Sequence, residues 1–226
     1  MGGGFIGPPE MPTDKLKFYY SPGSCALASH IALEEAGADF EPVRVKLAQG
    51  EQNTPEYRRI NPKGRVPALG IGDWVLTENP AILRYLARRH PERKLWPDDL
   101  VEEARCAEWL AYISSTVHVT YAHIRRPERY AADPKAIEDV IAKGRETARE
   151  VWTAVDQKLA RSTWAAGESY SVADAYVFVF WTWGRGQILA YDMAKDFPAW
   201  TAHARRMAER PAVRRALERE EIALPA

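Results

Sequence analysis

The sequence predicts an α+β/α chain in two parts: a mixed sheet with flanking helices over residues 15–90, then an all-α helical bundle over residues 101–226. Three observations carry this. Short β-rich segments alternate with helical patterns up to about residue 90, and nearly everything beyond has helical periodicity. Between the two, His90-Pro91 and Trp96-Pro97-Asp98-Asp99 punctuate a linker across residues 91–100. A chain of 226 residues that is 46% hydrophobic buries one large core or two modest ones, and usual domain sizes favour two. Residues 1–14 read as a flexible tail. The leader Met1–Pro9 has neither a basic start nor an apolar stretch suited to secretion or membrane insertion, and Met11 is an alternative start.

The first strand is the apolar run Leu16–Tyr20. It turns sharply at Pro22-Gly23 into a helix over residues 25–36, with Ser24 as N-cap and Gly37 as stop. Cys25 then lies in the first helical turn, where unpaired N–H groups and the helix dipole favour a thiolate and lower a thiol pKa from its usual ~8.5. A small buried cysteine filling a helix–sheet contact is the competing reading.

A strand over residues 40–46, a turn-rich stretch from Gly50 to Arg65 and two strands within residues 66–76 come next. Pro67 removes an N–H from this hairpin, so the strand is an edge or holds a special peptide bond. A cis Val66-Pro67 bond would leave the backbone groups of Val66 free to pair with an extended peptide ligand; an ordinary trans proline on an edge is the alternative. A helix over residues 79–89 is then opened by Asn79 as N-cap and Pro80 as first helical residue. Glu78 precedes it. A ligand bearing both an ammonium and a carboxylate would set the carboxylate on this helix start and the ammonium on Glu78; otherwise Glu78 is a solvated acid.

Helices are expected over about 100–124, 134–160, 171–190, 198–208 and 211–220. In the first, Cys106, Trp109, Leu110, Ile113 and Val117 form an apolar stripe assigned to the core. Ala111, Ser114, Ser115, His118 and Ala122 form a second stripe of small and polar residues suited to the wall of a cleft. Ser171-Val172-Ala173-Asp174 is a capping box that makes the adjoining apolar run a buried helix.

Thirty-one basic and 31 acidic residues cancel, which gives no bulk electrostatic reason to expect nucleic acid or an anionic membrane as partner. The two cysteines, Cys25 and Cys106, fit no metal spacing and point to a reducing compartment, the cytoplasm, and not to a disulfide scaffold.

The segment Lys15–Gly37 resembles the N-terminal motif of the bacterial beta-class glutathione transferases, with Asn61–Leu69 and Leu76–Leu86 resembling their next two motifs in order. The resemblance spans residues 15–220 and implies a thioredoxin-like glutathione domain, a helical domain and a cytoplasmic homodimer working in detoxification. By that similarity Val66 and Pro67 clasp the cysteinyl backbone of glutathione, Glu78 and Asn79 hold its γ-glutamyl end, and Cys25 and His118 reach its sulfur. Tyr121, Trp183 and Arg185 fall near the pocket for a small hydrophobic electrophile, and no metal is implied. The chain departs from the family at Ala26, Asn79 and Ala111, and the basic residue the family often has on the loop after the second strand is not evident near Gln49-Gly50.

Ala28 stands where a CxxC pair would need its second cysteine, so redox chemistry at Cys25 requires an outside thiol. The expected activity is glutathione transfer. A glutathione-dependent disulfide reductase or peroxidase working through a Cys25 mixed disulfide is one rival, and a non-catalytic scaffold of the same fold is another.

Overall fold

The structure, a computed structural model, describes residues 15–224; the tail assigned to residues 1–14 lies outside them. A four-stranded sheet has the order β2-β1-β3-β4. Strand β1 (Leu16–Tyr20) buries Leu16, Phe18 and Tyr20 on one face. It pairs in parallel with β2 (Phe40–Arg44), Leu16 opposite Phe40, across the helix α1 (Leu27–Ala36). It pairs antiparallel with β3 (Ala68–Ile71), Phe18 opposite Leu69, and β3 turns directly into β4 (Trp74–Thr77). Pro42 is tolerated because β2 is an edge strand.

Several local expectations change. α1 starts at Leu27, with Ala26 and not Ser24 at its N-cap; the Ser24 hydroxyl accepts from the Ala26 N–H at 3.2 Å, a tight turn that delays the helix by two residues. The turn-rich stretch contains α2 (Pro55–Ile60), opened by Pro55 and by the Thr54 hydroxyl accepting from Tyr57 N–H. α3 (Asn79–Arg89) has Glu78 at its N-cap, so Asn79 is the first helical residue. The helix expected over 100–124 is split: α4 (Leu100–Tyr112), capped by Asp99, runs through a single π turn at Ile113–Val117 into α5 (His118–Arg125).

The rest of the second half comprises α6 (Pro134–Leu159), α7 (Val172–Gly184), α8 (Met193–Asp196), α9 (Pro198–Glu209) and α10 (Pro211–Arg219). α7 ends at Gly184, six residues earlier than the periodicity suggested; the position is glycine because a Cβ there would come within 2.5 Å of the Met193 sulfur and 2.8 Å of Trp152 Nε1. The apolar stripe Cys106, Trp109, Leu110, Ile113 and Val117 is buried as expected, and the Cys106 thiol donates to Ser171 Oγ at 3.7 Å.

α1 joins the halves. It lies against the sheet, α3, α7 and α10, with Ala28, Ile31, Ala32 and Leu33 fully buried. Its acidic edge meets α10 through Arg215 and Arg219 on Glu34, and through the guanidinium of Arg210 gripping both oxygens of Glu35 at 2.5 and 3.0 Å. No helix among the described residues is long and apolar enough to cross a membrane.

Candidate functional site

The turn between β1 and α1 is fastened by residues far along the chain. The N–H of Gly23, at φ +69°, donates to Glu220 Oε2 at 2.9 Å, and its carbonyl accepts from the Trp183 indole at 2.9 Å. The other Glu220 oxygen lies 2.7 Å from His30 Nδ1, both side chains fully buried. Asn79 holds the next residues: its Nδ2 donates to the Cys25 carbonyl at 2.8 Å and its Oδ1 accepts from Ser29 at 2.6 Å. The Asn79 side chain is thus spent on the turn, and its contribution to the cleft is the backbone N–H at the open end of α3.

Cys25 points into the cleft beneath Val66, its thiol donating to the Val66 carbonyl at 3.6 Å. Burial pushes the thiol up to about 12, outweighing the hydrogen bonds that favour the thiolate. This reverses the expectation of a thiol lowered by the helix N-terminus: desolvation acts on the whole charge, whereas α1 begins two residues later and its dipole falls off within a turn. Cys25 is a protonated thiol at neutral pH.

His118 is the first residue of α5, immediately after the π turn. The extra residue of that turn shifts the helical phase, and the imidazole sits between the rings of Phe180 and Trp183, 5.4 and 5.3 Å away. Burial, aided by the field of Arg65 and Arg129, lowers its pKa to about 4, so the ring is neutral at pH 7.

Two lobes meet at Cys25, Val66 and His118. The smaller, about 340 Å³, runs past Pro67, whose bond to Val66 is cis as the sharper expectation had it, to Glu78, Asn79 and Tyr176, with Ser114 and Val119 opposite. The larger, about 600 Å³, is bounded by the Ser21–Ser24 turn, Gln52, Tyr121 and Trp183, and by Arg125 and Arg126. Of the small-residue stripe, Ser114, His118 and Ala122 line the cleft, while Ala111 and Ser115 are exposed away from it.

At the far end of the smaller lobe Glu78 adopts φ +75°, an uncommon backbone state for a residue with a Cβ. Its carboxylate receives the Lys63 ammonium at 2.6 Å, so a cation of the chain already occupies the place where a ligand's ammonium was expected. Tyr121 and Trp183 are both in the larger lobe, ring centroids 4.4 Å apart. Arg185 is not among its walls. Its guanidinium turns to the carbonyls of Ala223 and Leu224 and lies over Trp181, because α7 ends one residue earlier and the chain turns away.

Sequence reasoning passed over Tyr176, Arg65, Arg129 and Glu220. Tyr176 lies in an apolar run with nothing to distinguish it, yet it closes the floor of the smaller lobe, and burial raises its hydroxyl pKa well above the usual value. Arg65 and Arg129 line both lobes.

Comparison with known proteins matches this architecture. The glutathione S-transferase N-terminal domain family matches residues 14–88 and the C-terminal domain family residues 113–211. Glutathione S-transferase GstA of Escherichia coli O157:H7 is 35% identical over 208 residues, 91% of this chain and 98% of that protein. The chain belongs to the glutathione S-transferase family. Among solved structures, a glutathione transferase homologue from Sulfitobacter with bound glutathione has a TM-score of 0.86 at 37% identity, covering 92% of this chain and 99% of that one. A bacterial beta-class enzyme from Sphingomonas chungbukensis has a TM-score of 0.78 at 34% identity, over 92% of this chain and all of that one. The thioredoxin-like sheet unit joined to a helical unit is therefore this family's fold.

Proposed function

We propose that this glutathione transferase holds the glutathione sulfur between Cys25 and His118 and directs it, as a thiolate, at a small hydrophobic electrophile in the larger lobe. Residues 15–90 would bind the peptide, residues 101–226 would supply the electrophile's wall, and residues 91–100 would link them. The observation that carries the reading is the meeting of the two lobes at Cys25, Val66 and His118, with an ammonium-binding carboxylate, Glu78, at one end. The γ-glutamyl ammonium would take over the place of Lys63 on Glu78, its carboxylate the free N–H groups opening α3, and its cysteinyl backbone that of Val66.

The protonated Cys25 thiol and the neutral His118 ring suit hydrogen bonding to a thiolate better than removing its proton. Lowering a thiol pKa by two units takes about 2.7 kcal/mol, within reach of two such hydrogen bonds together with the guanidinium field of Arg65 and Arg129. The thiol proton leaves to solvent. A carbon–sulfur bond then forms as the electrophile's leaving group departs with its electron pair.

Disulfide exchange through Cys25 is disfavoured, because only thiolates attack disulfides and this thiol is pushed up to about 12. The two free thiols suit a reducing compartment, the cytoplasm, and the homodimer is to be checked by sedimentation.

Calorimetric titration with reduced glutathione tests the site. Saturable binding that weakens tenfold or more in Glu78→Ala is expected; absence of binding by the unaltered protein would sink the reading.

A further inference from the structure

The larger lobe has an unusual charge balance for a pocket meant for a hydrophobic molecule. Arg65, Arg125, Arg126 and Arg129 all line it, and none of its described lining residues is an aspartate or glutamate. The side chains of Tyr57 and Asn61 bind the Arg65 carbonyl, but no ion pair or hydrogen bond to another described residue engages the guanidinium group of any of the four. They crowd one another: Arg126 and Arg65 add to burial in lowering the Arg129 pKa. Glu128 offsets part of this field at Arg129 from outside the lobe, but like charges gathered around a cavity raise its positive potential and concentrate anions there.

Their positions divide the work. Arg65 and Arg129 reach both lobes, alongside Cys25 and His118. Arg125 and Arg126 line the larger lobe alone, on the same helix end as Tyr121, whose ring lies against Trp183 at a tilt of 35°. Glutathione brings two carboxylates and an ammonium; with the thiolate its net charge is −2. Glu78 takes the ammonium, the opening of α3 takes one carboxylate, and Arg65 and Arg129 suffice for the glycyl carboxylate and the sulfur. Arg125 and Arg126 are left over.

Resting on the transferase reading, we propose that the second substrate is an aromatic or conjugated carboxylic acid. Its unsaturated body lies on Tyr121 and Trp183, and its carboxylate is held by Arg125 and Arg126. A guanidinium pair grips a planar carboxylate through paired N–H donors, which a neutral electrophile cannot exploit.

A binding test with unreactive probes separates this from the chemistry. With S-methylglutathione saturating the peptide site, calorimetry would compare 3,5-dinitrobenzoate with 1,3-dinitrobenzene. The anion should bind at least tenfold more tightly, the preference should shrink as salt rises, and the double variant Arg125→Gln/Arg126→Gln should abolish it while glutathione affinity stays within twofold. Equal binding of the two probes, or a preference that survives the double variant, overturns the inference. So does a tenfold loss of glutathione affinity in that variant, which would assign the two arginines to the glycyl carboxylate. Turnover is read separately with 1-chloro-2,4-dinitrobenzene and 4-chloro-3,5-dinitrobenzoate, where sulfur–carbon bond formation expels chloride. Intact anion preference with neither compound conjugated would leave the anion site standing and overturn the transferase reading.

Discussion

Cys25 and His118 face the cleft as uncharged groups, and each titrates on the side of neutrality opposite to that needed by a reactive pair. With its thiol held at about 12, Cys25 should be alkylated by iodoacetamide at pH 8 a hundredfold or more slowly than an ordinary cysteine, whose pKa is ~8.5. A rate like that of free cysteine would show that burial does not govern the thiol. His118 stays neutral down to about pH 4 when folded, whereas an unfolded-chain histidine takes its proton near ~6.5. The unfolded state therefore binds the proton first. Stability is fully present above pH ~6.5 and declines as pH falls towards 4, by on the order of 2–3 kcal/mol. Urea midpoints measured across that window should slope in the unaltered protein and flatten in His118→Asn. The same variant should lower kcat about tenfold or more while leaving the glutathione Kd nearly unchanged, since the ring is assigned to the sulfur and not to the peptide. An unchanged kcat would remove His118 from the chemistry.

Elements whose signals are local were legible in the sequence. The capping box before α7, the glycine stop after α1 and the proline start of α3 each lie within a few residues of the boundary they control. Where the reading missed, a local interaction competed: the Ser24 hydroxyl served the turn and not the helix, and the Asn79 amide served Cys25 and Ser29 and not its own helix end. The π turn was invisible because the apolar stripe through Val117 keeps the spacing of an ordinary helix, while only the phase of α5 beyond it changes. The capping box does more than start α7. Asp174 accepts from the N–H groups of Ser171 and Ala165 at 2.8 and 2.7 Å and lies 2.9 Å from His203 Nε2, all buried. Asp174→Ala strands three buried partners and should cost about 3–5 kcal/mol, seen as a fall in the denaturant midpoint. A loss below about 1 kcal/mol would mean water satisfies them.

Across the whole molecule, the candidate site depends on pairings no local pattern discloses. Cys25, Val66-Pro67 and Glu78 stood out locally through turn, strand and helix chemistry as one of two readings each, with the family resemblance giving them roles, whereas Gly23 and Glu220 are separated by 197 positions. Glu220→Ala leaves the Gly23 N–H and His30 Nδ1 without their shared acceptor and should cost about 2–4 kcal/mol. Because the cysteine turn loosens with it, glutathione affinity should fall in the same variant. Trp183→Phe, which keeps an aromatic side chain but loses the 2.9 Å bond to the Gly23 carbonyl, should show a milder form of both effects. If calorimetry finds Glu220→Ala destabilised but binding glutathione normally, the clasp serves the fold alone.

The clasp also fixes the order in which a working protein comes into being during synthesis. The cysteine turn emerges from the ribosome 197 positions ahead of the carboxylate that fastens it. A nascent chain therefore carries the glutathione-facing turn without its fastening until residue 220 has been made, whatever the folding of the sheet itself.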